Sequence, residues 1–586
     1  MADVLFKKVD YTLKKLIEDL KMGEIGLPDI QRPFVWPRTK VRDLFDSMYR
    51  GFPIGYLLFW ENGYSDAHRT IGVDEKQKVP RLLIVDGQQR LTSLYAVITA
   101  SVVKNREFHP ERIRISFNPI EERFEVLNSA IEKDAEWIPD VSVIWQPGAS
   151  NRRFIDDFLD KLKTRCQITQ EAEDKIASAI ERLEQLKDYP LTALEISYSV
   201  NEDSVAEIFV RINSKGTPLN QADFILTLMS VFWDEGRKEL EDFCWQAKRP
   251  PVRNQTTPFN HYLLPSPDQL LRVNVALGFR RARLEHVYSL LRGKDLQTKQ
   301  FSEEQREKQF DILRKNQILV LNLQNWHEFF KVLRRAGYTS SQFISSQMTI
   351  VYTYSLWLIG KRDFKVDLYK LRETVARWFF MASLTGRYTG SSESRMEQDL
   401  ALLRNTDNAE GFVRILEEQI DAVLTQDYWE FTLPNELETA AARNTGQFAY
   451  YASLCLLDAP VLYSRMRVVD LLDPSTKAKR SALERHHLFP RSYLQRHKIK
   501  ENRLINQPAN YALVEWSDNV EISDSAPASY VPKIEDRFSA DELRDMYSLH
   551  ALPNKWYEME FQEFLVERRK RMAEVIRQGF MKIEEV

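Results

Sequence analysis

The chain has 586 residues, enough for three or four domains at roughly 150 residues each. Hydrophobic residues make up 43% and charged residues 28%, an ordinary globular composition, and the net charge of −3 excludes a uniformly basic surface, so a nucleic-acid site must be a local basic patch. Cys166, Cys244 and Cys455 are the only cysteines and form no C-x-x-C pair, which excludes a disulfide scaffold and a cysteine-built zinc site and fits a reducing cytoplasm.

The first residues, Met1-Ala2-Asp3-Val4, lack the basic-then-apolar pattern of a secretion signal. No run of about 18 apolar residues is present, so a cytoplasmic location without a membrane span is expected. Thr12 to Met22 has helical apolar spacing, with Thr12 as its N-cap. Pro28, Pro33 and Pro37 forbid a helix over residues 27–37. Lys40 to Tyr49 reads as a helix ending at Gly51, Tyr56 to Trp60 as a short strand, and Arg81 to Val85 as a buried strand. Leu91 to Val103 reads as the helix that follows.

Alternation at Arg112-Ile113-Arg114-Ile115-Ser116-Phe117 suggests a hairpin within 110–150. Two helices are expected near 151–163 and 170–187, then a strand from Leu191 to Val200. Ala206 to Asn220 reads as a helix broken by a glycine turn, with Asn220 or Asp223 capping a helix that runs to Trp233. Residues 260–430 read as almost wholly helical, with Pro434 and Asn435 as the interruption. The tail returns to a mixed pattern and ends in a charged helix from Lys555 onward. The expected class is α+β multidomain: mixed α/β over 1–255, a helical connecting domain over 256–435, and a third domain over 436–586.

Two places carry chemistry. Asp86-Gly87-Gln88-Gln89-Arg90 joins a strand to a helix, where glycine lets backbone N–H groups approach a ligand and a helix start favours an anion. Arg90 would add a bidentate phosphate contact, and Asp86 could hold a metal or orient a water. No G-x-x-x-x-G-K-[ST] loop is present. Far downstream, His486-His487 is the only adjacent histidine pair among nine histidines, within Leu483-Glu484-Arg485-His486-His487-Leu488-Phe489-Pro490-Arg491. Ala509-Asn510-Tyr511-Ala512-Leu513-Val514 and Ser517-Asp518-Asn519 follow it. A neutral imidazole can take a proton from water at physiological pH, as phosphodiester hydrolysis requires.

The His-His-x-Phe-Pro, Asn-x-x-Leu and Asn arrangement resembles the HNH, or ββα-metal, nuclease family. The resemblance implies His487 as general base, His486 and Asn519 as metal ligands, and Asn510 orienting the catalytic imidazole by a hydrogen bond. The family often has Asp where His486 stands and His where Asn519 stands. Mg²⁺ or Mn²⁺ is expected, with Zn²⁺ and Ni²⁺ as alternatives that also suit imidazole.

Val85 to Leu94 is similar to the signature of the ParB-like domain in GmrSD-type modification-dependent restriction enzymes. Gln31-Arg32-Pro33-Phe34-Val35-Trp36 resembles that domain's Q-R-x-[FY]-x-W motif, and Phe209 to Gly216 its F-x-R-x-N-x-x-G stretch. Gly386-Arg387-Tyr388 with Ser391-Ser392 fits a helical-region motif of the same proteins. The resemblance implies a nucleoside triphosphate, ATP or GTP, at Gln31, Arg32, Asp86, Gly87, Gln88, Gln89 and Arg90, with Arg211, Asn213 and Lys215 as further contacts. It implies cleavage of modified phage DNA as the activity and defence as the role.

Arg280, Arg281 and Arg283 form a cluster that could track DNA phosphates, while Trp378-Phe379-Phe380 reads as core. Trp36 could equally stack on a base or pack its loop down. A one-metal HNH site cuts one strand at a time, so a homodimer is one route to a double-strand break. Two other activities share these motifs: a nucleotide-switched binding protein with an inactive HNH domain, and a toxin-like nuclease acting on RNA.

Overall fold

A computed structural model describes residues 5–26, 36–61, 80–104, 110–146, 151–165, 168–200, 205, 208, 221–251, 256–294, 302–441, 443–474, 483–515 and 524–585. The chain divides into two compact units, Met1–Asp234 and Glu235–Val586. The helical segment and the C-terminal segment fall in the same unit.

The first unit is built on a five-stranded mixed sheet. Strand Phe6–Thr12 pairs antiparallel with Pro190–Ile196, which runs parallel to Leu57–Glu61. Leu57–Glu61 is antiparallel to Leu82–Asp86, and Ile25–Gly26 runs parallel on its far side. Thr12 ends the first strand and caps helix Leu13–Lys21, its hydroxyl accepting from Lys15 N at 3.2 Å. Leu13, Leu16 and Ile17 are buried by that helix, as the i, i+3, i+4 spacing requires.

Strand alternation sends Phe59 and Ile84 into the larger core. Leu58, Ile196, Val200 and Val205 form a smaller cluster, with Trp60 and Val85 packed against it. Trp36 packs against the larger core, and Lys40 Nζ lies 5.6 Å from its ring centroid. The expected hairpin is Ile115–Asn118 with Arg123–Val126, closed inside by Phe117 and Phe124 at 4.7 Å.

The helix expected over Leu91–Val103 runs instead from Gln88 to Ile98. Ala100, at φ +56°, ends it, and Val102–Lys104 turns into a strand paired with Pro110–Arg112. β-Branched Val102 and Val103 favour that outcome.

The second unit is organised around helices buried nearly all round: Pro267–Phe279, Gln347–Arg362 and Leu368–Leu384. Trp378, Phe379 and Phe380 are fully buried, as core residues should be. In the Gly386-Arg387-Tyr388 motif, Arg387 forms an ion pair with buried Asp399, and Tyr388 donates to Asp399 at 2.7 Å. That motif is therefore a packing device inside the helical region. The tail carries a two-stranded hairpin, Leu483–His487 with Tyr511–Glu515, then helices Pro527–Glu535, Ala540–Leu549 and Phe561–Lys582. Among the described residues no helix is long and apolar enough to cross a membrane.

Candidate functional site

Strand Leu82–Asp86 delivers Asp86 to the start of helix Gln88–Ile98, and the turn between them is Gly87 at φ +93°. A Cβ at Gly87 would lie 2.4 Å from Leu57 Cδ2, so both conformation and space demand glycine. Gly87 offers no capping side chain, and the first helical turn has no acidic residue. The carboxylate beside the positive end of the helix is Asp86, immediately before the cap, and it pairs with Arg90 in the first turn.

Arg90 departs from expectation. Its Nη1 donates to Ile54 O at 2.6 Å, and its Nη2 to Tyr56 O at 2.7 Å and to Asp86 Oδ2 at 3.3 Å. Gly55, at φ +88°, makes room: a Cβ there would stand 2.6 Å from Arg90 Nη1. Burial lowers the guanidinium's pKa, with Asp86 opposing that shift. In place of the expected phosphate contact, three of the five Arg90 N–H groups are used within the protein, two on the loop before strand Leu57–Glu61 and one on Asp86, so the side chain clamps that loop. Asp86 is correspondingly the partner of Arg90. Gln88 and Gln89 are half-buried at the helix start. Gln31, Arg32, Arg211, Asn213 and Lys215 lie outside the described residues.

In the C-terminal hairpin, His486 lies opposite Ala512 and His487 opposite Tyr511. Strand alternation directs the two imidazoles to different partners. His486 is 4% exposed and its ring meets Tyr530 edge-on at 6.1 Å. His487 is half-buried, lies over Tyr511 at 4.4 Å, and brings Nε2 to 3.2 Å from Asn506 Oδ1. The Tyr511 hydroxyl donates to the same Asn506 oxygen at 3.2 Å. An oxygen acceptor at Nε2 keeps the proton on that nitrogen and leaves the imidazole lone pair on Nδ1.

Asn510 is fully buried and does not bond to the imidazole, which corrects the role expected for it. Its Oδ1 accepts from Phe489 N at 2.9 Å, and its Nδ2 donates to Phe489 O at 3.2 Å and Ile505 O at 2.9 Å. Both amide hydrogens are used on backbone, so Asn510 holds the chain that leaves His487 rather than the ring itself. Leu488 N adds a bond to Asn510 O at 2.9 Å.

Asn519 lies outside the described residues. An imidazole donor such as His486 suits Zn²⁺ or Ni²⁺ better than Mg²⁺, which prefers oxygen ligands. Among the described residues no three His, Cys, Asp or Glu side chains gather as a metal site, and His486 is the one described member of the expected donor set.

The arginine cluster is also corrected. Arg280 forms an ion pair with Asp363, and Arg281 with Glu397 at 2.6 Å. Glu397 also accepts from Ala282 N and Arg283 N, so it anchors this turn as a whole. Two of the three charges are balanced internally, which leaves little for a phosphate track. Arg283 is exposed and bonds Ser394 Oγ at 3.3 Å.

The N-terminal part resembles a restriction-enzyme domain. Residues 13–230 match the family described as GmrSD restriction endonuclease, N-terminal domain. That match contains the whole Asp86-to-Arg90 loop and stays within the first compact unit. An uncharacterized protein of Methanocaldococcus jannaschii, MJ0686, is 24% identical over 554 residues, spanning 89% of this chain and 86% of its own length. That similarity reaches well beyond the GmrSD-like part, into the unit that carries the histidine hairpin.

Sequence reasoning missed three residues at this hairpin. Asn506 gave no signal, because its role exists only once the chain between the strands folds back. Arg568 and Arg569 did give one. In helix Phe561–Lys582 the apolar stripe Phe561, Phe564, Leu565, Met572, Val575 and Ile576 passes through position 568, so an arginine there must be buried. Arg568 is 0% exposed, and its Nη1 donates to Ala509 O and Tyr511 O, each at 2.8 Å. Its Nε and Nη2 donate to His550 O at 3.3 and 3.1 Å. Arg569 Nη1 donates to Gln507 Oε1 at 2.7 Å. The two arginines thus brace both flanks of Asn510.

Proposed function

We propose that the chain is a nucleotide-regulated, metal-dependent endonuclease of restriction type, with His487 as the base that activates water. Two things support the reading: the GmrSD-like N-terminal match, and the hydrogen bond between His487 Nε2 and Asn506 Oδ1 at the end of the hairpin. The bond carries the chemistry, because it leaves Nδ1 with the lone pair that a general base needs. In the step we propose, water gives a proton to Nδ1 and its oxygen bonds to phosphorus. One P–O ester bond breaks, and the departing oxygen takes a proton from solvent. Asn506 keeps the tautomer, and Asn510 keeps the backbone of the loop that follows His487. A divalent cation held by His486 and Asn519 would neutralise charge on the departing oxygen.

In the first unit, a nucleoside triphosphate would place a phosphate at the start of helix Gln88–Ile98, with Arg90 holding the loop in shape. Foreign DNA carrying modified bases is the proposed substrate. The test is a plasmid assay with unmodified, base-modified and phosphorothioated DNA, with Mg²⁺, Mn²⁺ or EDTA, and with or without ATP or GTP. Cleavage of particular DNAs that needs a cation, responds to nucleotide and falls by about 10² to 10⁴ in His487→Ala is the expected result. Nucleotide hydrolysis without cleavage of any DNA would sink the nuclease reading and turn the search to RNA.

A further inference from the structure

Between His487 and Tyr511 the chain leaves the sheet as a closed excursion. It forms helix Arg491–Arg496, a turn with Lys498 at φ +67°, and helix Asn502–Ile505. Its neck is tied by the Asn510 bonds to Phe489. Leu494 and Ile505 are buried inside it, and Ile499 N donates to Leu494 O at 3.0 Å. Arg491 Nη2 donates to Asn502 Oδ1 at 3.0 Å, joining the starts of the two helices.

The outside of this excursion is strongly basic. Arg491, Arg496, Lys498, Lys500 and Arg503 are all exposed, against one carboxylate, Glu501. Five cations less one anion give +4 over residues 491–503, in a chain whose net charge is −3. Arg496 is paired with Asp524 at 3.2 Å. Arg491, Lys498, Lys500 and Arg503 have no carboxylate within 4.0 Å among the described residues. The pattern differs from the arginines of the helical region, where Arg280, Arg281 and Arg387 each have an acidic partner. Left unbalanced, such charges are a binding surface for a polyanion.

We propose that the 491–503 excursion seats the phosphate backbone of duplex DNA and presents the strand to His487. The inference rests on the nuclease reading above. What links the two is Asn506, which follows the basic stretch in the same excursion and bonds the His487 ring, so the basic surface is joined to the imidazole through one short segment. Lys498, Lys500 and Arg503 are the predicted phosphate contacts, and they carry affinity rather than base preference.

The experiment measures binding apart from cleavage. Full-length His487→Ala protein is titrated onto a labelled DNA duplex in EDTA, by fluorescence anisotropy, across a series of salt concentrations. The comparison protein adds Lys498→Gly, Lys500→Gln and Arg503→Gln. Glycine suits φ +67° at Lys498, and the other two side chains are exposed, so the melting temperature is expected to hold. Each lost phosphate contact lowers the slope of log K against log salt by about 0.9, so the slope should fall by about 2.7. At moderate salt the affinity should drop at least tenfold.

Unchanged slope and affinity overturn the proposal. Should the triple variant melt early, Lys500→Gln and Arg503→Gln singly must each lower the slope by about 0.9, and failure to do so overturns it equally. A single-stranded RNA that outcompetes the duplex with the same salt slope overturns the assignment to duplex DNA. A wild type that binds as predicted but cleaves nothing leaves the surface standing and removes the nuclease reading.

Discussion

Replacing Asn510 by aspartate isolates what this residue does, because the shape is kept and only the hydrogens change. One oxygen of the new side chain can still accept from Phe489 N, while the other would face Phe489 O and Ile505 O, two acceptors that now receive from Nδ2. An ionised carboxylate cannot stand there, and the site is fully buried, so the folded protein holds the new group neutral. One carbonyl then lacks a donor, at a cost of about 1–3 kcal/mol at acidic pH. The unfolded chain titrates normally, near pH 3.9. Above that point the unfolded state loses its proton first, and stability falls as pH rises, by about 1.4 kcal/mol per pH unit. Between pH 5 and pH 7 the added loss is about 2.7 kcal/mol, with a sign opposite to that of an ordinary salt-bridged aspartate. Urea unfolding of wild type and Asn510→Asp at both pH values measures it by difference. Asn510→Ala serves as the control, with a loss of roughly 3 kcal/mol that does not vary with pH. An Asn510→Asp penalty that stays flat from pH 5 to pH 7 refutes the bonding described here.

Gly87→Ala should destabilise the first unit by about 2–4 kcal/mol, since the left-handed backbone and the contact with Leu57 Cδ2 add; a thermal unfolding profile left in place contradicts it. Asp399→Asn strands the buried Arg387 charge and should cost about 3–5 kcal/mol in urea unfolding, whereas a loss below 1 kcal/mol shows that the pair is dispensable. His550 is fully buried and desolvation lowers its pKa to about 4, against about 6.5 unfolded. As pH falls through that window the unfolded state takes up a proton that the folded state refuses, so about 3 kcal/mol of stability is lost between pH 6.5 and pH 4. A His550→Gln protein should lack that part of the acid limb, and an identical limb in both proteins rules it out.

Local signals in the sequence were sufficient for much of the framework. Thr12 followed by Leu13, Leu16 and Ile17 marks a capped helix without help from distant residues, and the apolar run ahead of Asp86 marks its strand. The helical character of residues 260–430 and the buried Trp378-Phe379-Phe380 were legible for the same reason. What escaped depends on partners far along the chain. Arg90 looks like a ligand contact until Ile54 and Tyr56 are brought beside it, and Arg280 looks like a free charge until Asp363 closes on it. Asn510 stood out in the sequence by its spacing from the histidine pair, but its bonds to backbone rather than imidazole needed the folded excursion to become visible. Asn506 sits in that excursion as well, and nothing in its neighbours in sequence marks it.

The bracing of Asn510 by Arg568 has a consequence for how the protein is made. The carbonyls of Ala509 and Tyr511 receive their donor from a helix translated more than fifty residues later, at Phe561–Lys582. A ribosome that has finished the histidine hairpin has therefore not yet supplied the donor for these two carbonyls. A chain stopped before Phe561 would keep the hairpin's own pairing and the Asn510 bonds but lack the donor to the Ala509 and Tyr511 carbonyls. The last helix of the chain is thus a late-arriving part of the hairpin's support, supplied only when translation is nearly complete.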